Sequence, residues 1–245
     1  MEALVIGAGR GIGLEFVRQY LASDLYQRVY GTYRQPSADL LALQARYPDR
    51  LQLIPVDVTQ EAQITAAIAT LKAQTSRLDE VIYCVGLLHH QTLQPEKSLR
   101  HIQTENLLTY FQVNAIGAVL WAKHLLPFLR HPEPAIFAAI SAKVGSIEDN
   151  RLGGWYGYRA SKAALNMFLK NIAIEWSRVA PNIIVAALHP GTTATDLSQP
   201  FQKNVPPEKL FSPARTVSQL RQVIANLHPQ DTGKFFNWDG EPLPW

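Results

Sequence analysis

Tyr158 and Lys162 are the residues of this chain best suited to acid and base chemistry. Of the nine tyrosines, only Tyr158 is followed by a lysine four positions later. Positions four apart share one face of a helix, so the phenol and the ammonium would reach the same ligand. A phenol has a pKa of about 10, and a nearby cation favours its phenolate. The pair could protonate a carbonyl oxygen that receives hydride, or deprotonate an alcohol in reverse. The spacing is also compatible with an exposed pair that has no chemical role.

A glycine-rich turn near the amino terminus has the composition of a phosphate-binding site. It lies between a short apolar run and a helical pattern and reads Gly7-Ala8-Gly9-Arg10-Gly11-Ile12-Gly13. Glycines allow a tight turn and a close approach of the backbone, and a helix N-terminus presents free N–H groups to a pyrophosphate. We therefore predict that a dinucleotide binds here. The alternative is a tight strand-to-helix turn without a ligand.

The end of the second predicted strand indicates which dinucleotide binds. Enzymes that use NAD usually place a carboxylate about 20 residues after the glycine turn, where it binds the ribose 2′-hydroxyl. This chain has Tyr33 and Arg34 instead. Arg34, together with Arg10, could pair with a 2′-phosphate through charge-assisted hydrogen bonds. The residues therefore favour NADP(H), and the alternative is two solvated surface arginines.

Short apolar runs alternate with longer helical patterns along the chain, as in βαβ units around a parallel sheet. Seven strands are predicted, at 3–6, 28–33, 51–56, 80–85, 135–141, 183–189 and 234–237. Helices are predicted at 12–21, 38–46, 61–73, 104–130 with a break near Asn114, 156–179 and 216–227. Several strands are apolar at nearly every position, which is typical of strands covered by helices on both faces. The predicted fold class is α/β, a doubly wound, seven-stranded parallel sheet of the Rossmann type.

The organisation of the chain predicts one domain and an assembly of several copies. No linker, charge run or internal repeat divides residues 1–245, so a single domain is expected. The segment 192–213 contains several prolines and little periodicity, which predicts an irregular loop that covers a substrate. The segment 111–129 carries apolar residues on more than one face. This excess of apolar surface predicts a homodimer or homotetramer.

The composition argues against several classes of protein. Of the 245 residues 47% are hydrophobic, and 23 Lys and Arg residues against 20 Asp and Glu residues leave a net charge of only +3. A packed core is therefore expected, and a nucleic-acid partner is not. No signal peptide or membrane-spanning run is recognisable. Cys84 is the only cysteine, so we expect no disulfide, no metal site and a location in the reducing cytoplasm.

These motifs together resemble the short-chain dehydrogenase/reductase family over nearly the full length of the chain. The resemblance rests on the glycine turn, on the Tyr158/Lys162 pair, and on Asp57-Val58, Gly86, Asn114 and Pro190-Gly191. Segments 145–150, 153–156 and 237–240 are similar to the C-factor and carbonyl-reductase-like subgroup. The resemblance implies an NADP(H)-dependent oxidoreductase that acts on a carbonyl or alcohol substrate.

The resemblance also implies a role for each matched position. Tyr158 would be the proton donor and acceptor, and Lys162 would hold the nicotinamide ribose and lower the pKa of Tyr158. Asn114 would anchor a water in a proton relay. Asp57 would accept a hydrogen bond from the adenine amino group, and Val58 would offer its backbone. Further cofactor contacts would come from Gly86, Pro190, Gly191, Thr193 and Thr195. Taken singly, Asp57 could instead cap a helix, Asn114 could break one, and Pro190-Gly191 could form a turn.

Departures from the family pattern bear on the chemistry. Ile6 replaces the usual Thr, and Tyr83-Cys84-Val85-Gly86 replaces Asn-Asn-Ala-Gly, so we expect the loss of hydrogen bonds that stabilise the floor of the cofactor site. The family's Ile-Ser-Ser-x-x-Gly becomes Ile140-Ser141-Ala142-Lys143-Val144-Gly145, which puts Ala142 at the position of the catalytic serine. Ser141 is a candidate substitute and Ser146 a weaker one. In a regular strand, however, Ser141 points to the face opposite Ala142.

Two functions remain open at this stage. One is an NADP(H)-dependent reductase of a small or medium carbonyl compound. The other is a dinucleotide-binding signalling or scaffold protein with weakened catalysis, which the alanine at position 142 allows. The retained Asn114, Tyr158 and Lys162 favour the enzyme. Candidates to line an apolar substrate pocket are Trp155, Phe201 and Phe211.

Overall fold

The computed structural model describes residues 1–90 and 92–245 and contains one large parallel sheet. Its strands are β1 (Glu2–Ile6), β2 (Arg28–Tyr33), β3 (Leu51–Pro55), β4 (Glu80–Tyr83), β5 (Ala135–Ile140), β6 (Ile183–Leu188) and β9 (Lys234–Phe236). They lie in the order β3-β2-β1-β4-β5-β6-β9, and each neighbouring pair is parallel. The order reverses direction beside β1, as in a doubly wound fold. The predicted seven-stranded parallel sheet is therefore confirmed.

The described residues form seven α-helices, and six of them, all but α4, cover the two faces of the sheet. They are α1 (Gly11–Leu21), α2 (Ala38–Arg46), α3 (Glu61–Gln74), α4 (Thr104–Phe111), α5 (Gly117–Leu129), α6 (Tyr156–Val179) and α7 (Pro213–Ala225). Buried side chains of α3, α5 and α6 form one core with one face of the sheet, and those of α1, α2 and α7 form a second core with the other face. Successive strand residues alternate between these cores, as the pleat requires. Phe137 and Ala139 of β5 belong to the first core, whereas Ala138 and Ile140 belong to the second.

Most strands end one or two residues before the predicted positions. The predictions included Val56, Val85, Ser141, His189 and Asn237, all of which lie beyond the observed strand ends. Several of these segments still donate one more backbone hydrogen bond to the neighbouring strand, as Ser141 N–H does to the Leu188 carbonyl. The chain then turns out of the sheet, although the apolar sequence pattern continues. The predicted site residues that directly follow these strands therefore lie in loops at the carboxyl edge of the sheet, where ligands bind in this architecture, whereas Tyr158 and Lys162 lie on α6.

The predicted helix at 104–130 does not break at Asn114. It changes to a π-helical turn at Gln112–Ile116, which joins α4 to α5. A π turn adds one residue to a helical turn and is common at functional sites. The prediction of a break is therefore wrong in kind, although it identifies the position of the irregularity.

The segment 192–213 is more regular than predicted. Its ends pair as two short parallel strands, β7 (Thr192–Thr193) and β8 (Leu210–Phe211). Two 3₁₀ turns lie between them, and α7 begins at Pro213 and not at 216. The earlier start follows from Ser212, whose hydroxyl oxygen accepts a hydrogen bond from Arg215 N–H and so caps the helix. Pro213 occupies the first position of this helix, which proline favours.

Within residues 1–90 and 92–245, no helix is both long enough and apolar enough to span a membrane. The same residues contain no group of three or more His, Cys, Asp or Glu side chains arranged to hold a metal ion.

Candidate active site

The glycine turn brings the backbone of β1 and α1 into close contact. A Cβ atom on Gly13 would lie 2.1 Å from the carbonyl oxygen of Gly7, so no residue larger than glycine fits without a backbone shift. Helix α1 begins at Gly11, and no side chain among the described residues caps this end. Its first N–H groups and its positive dipole end are therefore available to an anion. Ile12 is half-buried and packs on the second core, so the turn has a fixed orientation on the sheet.

The floor beneath this turn keeps a side-chain hydrogen bond despite the loss of the usual threonine. Gly7 N–H donates to the Thr32 hydroxyl on β2, with 3.2 Å between the two atoms. Ala8 N–H donates to the Thr32 carbonyl. The hydrogen bond expected to be lost at Ile6 is therefore supplied by Thr32 on the neighbouring strand. The sequence of β1 alone does not show this compensation.

The end of β2 lies against the glycine turn, as expected for a residue that selects the cofactor. A Cβ on Gly9 would be 3.0 Å from the Gln35 carbonyl and 3.7 Å from Tyr33 Cβ. Arg34, between them in sequence, is exposed. Arg10 is also exposed and forms an ion pair of 3.4 Å with Asp196. Exposed pairs of this kind contribute little energy, so both guanidinium groups could move to a 2′-phosphate.

Asp57 and Val58 follow β3 at the same edge of the sheet. Asp57 Oδ1 accepts hydrogen bonds from the backbone N–H and the hydroxyl of Thr59. This geometry is that of a local turn before α3 and not of the helix cap that was the structural alternative for Asp57. The Val58 side chain is buried, and a Cβ placed on Gly117 would lie 3.1 Å from it. Contacts of either residue with an adenine ring remain predictions.

Four of the predicted site residues lie together beside β4 and β5. Lys162 Nζ lies 6.0 Å from the centre of the Tyr158 ring. A Cβ placed on Gly86 would be 3.7 Å from Lys162 Nζ and 3.9 Å from Asn114 Oδ1. Tyr158, Lys162 and Asn114 are all buried. The fold therefore brings the amide of Asn114 from a distant part of the sequence to the phenol and the ammonium on α6.

Asn114 lies in the π turn, and three hydrogen bonds hold its side-chain amide in place. Its Oδ1 accepts from Leu87 N–H at 2.7 Å, and its Nδ2 donates to the Leu87 carbonyl and to the Ser161 hydroxyl, each at 2.9 Å. The Tyr83 hydroxyl, at a position where the family has asparagine, donates to the Val113 carbonyl at 3.0 Å. Tyr83 therefore anchors the π turn to β4. The sequence comparison identified this position only as a loss.

Burial controls the protonation of the two central groups. It raises the pKa of the Tyr158 phenol, which therefore stays protonated at neutral pH. It lowers the pKa of the Lys162 ammonium to about 8. Lys162 Nζ donates to the Ile140 carbonyl at 2.9 Å, which keeps the amine close to the end of β5. Lys162 was expected to lower the pKa of Tyr158. In the protein alone the pKa is raised instead, because desolvation of the phenol dominates.

The structure argues against Ser141 as the substitute for the missing serine. The Ser141 hydroxyl is buried and donates to Asn166 Oδ1 on α6 at 2.6 Å. Ala142 instead packs against the buried cluster that contains Tyr158. Ser141 continues the alternation of β5 toward the first core, so its hydroxyl is committed there. Ser146 is also buried, and its hydroxyl donates to the Trp245 carbonyl.

The residues after β6 contact the glycine turn in part. A Cβ on Gly11 would lie 3.3 Å from the Thr195 methyl group, so Thr195 is close to the predicted phosphate site. Pro190 is buried, and Gly191 packs against Phe211 and Trp238. The Thr193 hydroxyl is buried 2.9 Å from the Thr216 hydroxyl. The Thr193 hydroxyl is therefore directed into the protein, and the predicted cofactor contact of Thr193 would have to use its backbone.

An apolar cluster surrounds the Tyr158 side chain. Its buried members are Leu88, Leu93, Tyr110 and Tyr158, with Leu87, Ala142, Val144, Trp155, Leu197 and Phe201 packed against them. Trp155 contacts Tyr158 and Phe201 through edge-to-face ring pairs, with centroids 6.2 Å and 4.9 Å apart. The prediction for Trp155 and Phe201 as pocket residues is consistent with this cluster. Phe211 is not a member, since it packs on Trp238 with centroids 4.9 Å apart.

Sequence reasoning missed the contribution of the loop that follows β4. Leu88 and Leu93 come from this loop, and Glu96 of the same loop is buried beside the start of α6. Tyr110 comes from α4, and its hydroxyl donates to the Leu88 carbonyl at 2.6 Å. None of these residues belongs to a recognisable motif or a periodic pattern. Only the folded arrangement associates them with Tyr158.

The chain is similar to known proteins in sequence and in fold. The family model described as short chain dehydrogenase matches residues 2–206. A 1-hydroxy-2-glutathionyl-2-methyl-3-butene dehydrogenase from Rhodococcus sp. (strain AD45) is 31% identical over 243 residues, covering 99% of this chain and 98% of that protein. The C-signal protein of Myxococcus xanthus is 30% identical over 148 residues, covering 60% of this chain and 84% of that protein. The crystal structure of an NADPH-bound carbonyl reductase from chicken fatty liver superposes with a TM-score of 0.87 at 29% identity, covering 100% of this chain and 94% of that one.

Proposed function

We propose, from the premise that this chain belongs to the short-chain dehydrogenase family, that it is an NADP(H)-dependent oxidoreductase that reduces a carbonyl compound with Tyr158 as the proton donor. One observation carries this proposal. The Tyr158 phenol lies beside Lys162, which in turn lies near Gly86 and Asn114, and the phenol belongs to an apolar cluster at the same sheet edge as the glycine turn. A site that supplies a proton beside a dinucleotide has the components that carbonyl reduction needs.

NADP(H) fits the residues that the chain offers. The uncapped start of α1 and the close backbone approach at Gly13 would receive the pyrophosphate. Arg34 and Arg10 are exposed and could bind the 2′-phosphate, and Tyr33 takes the position of the usual carboxylate. When bound, the cofactor supplies or accepts the hydride. The structural relative from chicken liver binds NADPH, which supports the same choice here.

The protein side of the reaction is a proton transfer. Because burial keeps the Tyr158 phenol protonated, it would donate its proton to the substrate oxygen as that oxygen gains negative charge. Lys162 would then stabilise the phenolate, since a cation nearby favours the charged form. Asn114 would hold a water that returns the proton from solvent. Ala142 has no hydroxyl, so the oxyanion would lose one donor that the family normally provides.

The substrate side of the site is apolar and partly covered by the segment 192–213. Leu197 and Phe201 of this segment pack against the apolar cluster around Tyr158. The carbonyl oxygen of Asp196, in the same segment, lies 3.1 Å from His89 Nε2. We infer that the segment covers a small or medium substrate in one domain made of residues 1–245. The lining favours a substrate whose body is hydrophobic and whose carbonyl group reaches Tyr158.

A second candidate is a dinucleotide-binding signalling or scaffold protein. Two observations favour it: Ala142 removes an oxyanion donor, and one relative is the C-signal protein. The buried Tyr158, Lys162 and Asn114 favour the enzyme, because a binding module has no need of an acid held beside an ammonium.

The two functions are separated by measuring NADPH binding and NADPH oxidation on the same preparation. A panel of aldehydes, ketones and quinones is offered as substrate, and binding is followed by the fluorescence of NADPH. We expect both binding and turnover of at least one carbonyl compound. Binding with no turnover on the whole panel would support the scaffold, and the absence of NADPH binding would contradict both candidates.

The outer faces of α4, the π turn and α6 support association with a second copy. They expose large apolar side chains at Leu108, Ile116, Met167 and Ile174. We propose a homodimer or homotetramer through this surface. Sedimentation that gives only the mass of one chain at micromolar concentration would contradict it.

The cytoplasmic location stays a prediction, based on the single cysteine.

A further inference from the structure

We propose that Glu96 is a positioning residue for Tyr158. Glu96 lies in the loop after β4, and its buried carboxylate caps the first turn of α6. The inference rests on the proposed function, since it concerns the residue to which that function assigns the proton. Glu96 does not belong to the apolar cluster around Tyr158, and it acts through the helix backbone.

Helix α6 begins without a capping side chain of its own. Its N-cap residue is Trp155, which has a left-handed backbone conformation with φ of 52° and makes no side-chain cap bond. The first amides of a helix need outside acceptors. Here Glu96 supplies two: its carbonyl oxygen accepts from Trp155 N–H, and its Oε2 accepts from Gly157 N–H at 3.0 Å. One residue of another segment therefore replaces the missing cap.

The position of the Glu96 carboxylate is unusual for a structural glutamate. Its exposed fraction is 2%, and its Oε1 has no hydrogen-bond partner within residues 1–90 and 92–245. In that same part of the chain no Lys, Arg or His forms an ion pair with it. Burial of an acidic side chain without a cation is costly. The compensation is the positive end of α6 and the bond from Gly157 N–H, so the carboxylate and the helix start stabilise each other.

Gly157 shows how tightly this contact is made. A Cβ on Gly157 would lie 2.9 Å from Glu96 Oε1 and would overlap the Tyr110 ring. The carboxylate and the ring therefore pack directly on the helix backbone one residue before Tyr158. Tyr110 also meets the Tyr158 ring edge to face, with centroids 6.3 Å apart. A shift of Glu96 would release the helix backbone next to Tyr158.

The chemical consequence follows from the need for precise geometry in proton transfer. First turns of helices open more easily than their centres when their amides lose partners. A displacement of about 1 Å at a reacting group can lower the rate about a hundredfold. Loss of the cap should therefore reduce kcat more than it reduces cofactor affinity, because the glycine turn lies on a different helix.

The test compares variants of Glu96 that separate reach from charge. Glu96→Gln keeps an acceptor oxygen at the same distance, Glu96→Asp keeps the charge with a shorter side chain, and Glu96→Ala removes both. The matched control is Thr232→Val, which deletes another side-chain acceptor of a backbone amide, that of Val185 at 3.0 Å. Each variant is assayed for kcat, for the Kd of NADPH, and for hydrogen exchange in a peptide that covers residues 153–160.

We expect Glu96→Gln to keep kcat within about threefold and Glu96→Ala to lose at least about tenfold, each with nearly unchanged NADPH affinity. Glu96→Asp should resemble Glu96→Ala, and exchange at 153–160 should accelerate only in these two. If Glu96→Ala is poorly folded, the Gln and Asp variants decide alone. Equal losses in Gln and Ala, or a fully active Asp variant, would overturn the proposal. If the unmodified protein reduces no carbonyl, the proposed function fails, whereas unchanged exchange in Glu96→Asp and Glu96→Ala would overturn the cap itself.

Discussion

The glycine turn at residues 7–13 and the surroundings of Tyr158 lie at the same edge of the sheet, but they are built in different ways. The turn consists mainly of backbone: α1 starts at Gly11, and Gly13 touches the Gly7 carbonyl. The Tyr158 site consists of side chains from separate segments, in which Glu96 contacts α6 and Lys162 contacts the end of β5. A site made by one stretch of backbone leaves a local signature in the sequence. A site made by distant side chains does not.

The two regions should also respond differently to substitution. Changes around the glycine turn should alter cofactor affinity, because that region offers amides and arginines to phosphate groups. Changes around Tyr158 should alter turnover, because that region holds the proton. The four substitutions below test this division, and they are arranged from the largest expected effect to the smallest.

Tyr158→Phe is expected to have the largest effect. It removes the phenolic proton but little contact area, so kcat should fall at least about a hundredfold while the Kd of NADPH stays within about twofold. The measurement is NADPH oxidation with the best carbonyl substrate, together with a fluorescence titration. The matched control is Tyr156→Phe, which removes an exposed hydroxyl from the same helix turn and should leave both values unchanged. Activity above about a tenth in Tyr158→Phe would remove Tyr158 from its proposed role.

Arg34→Asp tests the other region. A hydrogen bond to a charged group contributes about 1.5 to 3 kcal/mol, so this change should weaken NADPH binding about ten- to a hundredfold. Binding of NADH, which lacks the 2′-phosphate, should change little, and kcat at saturating NADPH should be nearly maintained. Arg130→Asp is the charge-matched control. Arg130 is exposed and precedes the amino end of β5, whereas Arg34 follows the carboxyl end of β2. Equal dissociation constants for NADPH and NADH in the unmodified protein would contradict the assignment.

The same contrast explains how far the sequence could be interpreted. The sheet was predictable because each apolar strand alternates with a helical pattern, and the glycine turn because its residues are adjacent in the chain. The Thr32 hydroxyl that replaces the one missing at Ile6 was not predictable, because its position depends on the parallel register that places Thr32 beside Ile6. The bonds of Glu96 and Tyr83 to distant backbone groups were equally hidden. The position of Ser141 followed correctly from strand alternation, whereas its partner Asn166 required the packing of α6.

Ala142→Ser should increase turnover. Loss of one oxyanion donor costs about 2.7 to 4 kcal/mol in other enzymes, so restoring a hydroxyl beside Tyr158 should raise kcat at least about tenfold. The hydroxyl needs space, because Ala142 packs against the cluster around Tyr158, and an overpacked site would lower the melting temperature. Ala142→Cys is the control of similar size, since a thiol is only a weak donor. A folded Ala142→Ser protein that is no faster would contradict the view that the missing hydroxyl limits the rate.

Ser141→Ala should have the smallest effect on turnover and a measurable effect on stability. The Ser141 hydroxyl donates to Asn166 Oδ1, and Asn166 Nδ2 has no hydrogen-bond partner among the residues described. Its loss leaves a buried amide unpaired, which costs about 1 to 3 kcal/mol of unfolding free energy. Because this hydroxyl points to α6 and Ala142 is the residue packed at the Tyr158 cluster, kcat should stay within about threefold, the size of an indirect effect. Urea denaturation and steady-state kinetics measure the two quantities on the same preparation. If Ser141→Ala instead loses a hundredfold in kcat while Ala142→Ser gains nothing, Ser141 supplies the oxyanion donor after all, and the end of β5 must rearrange when substrate binds.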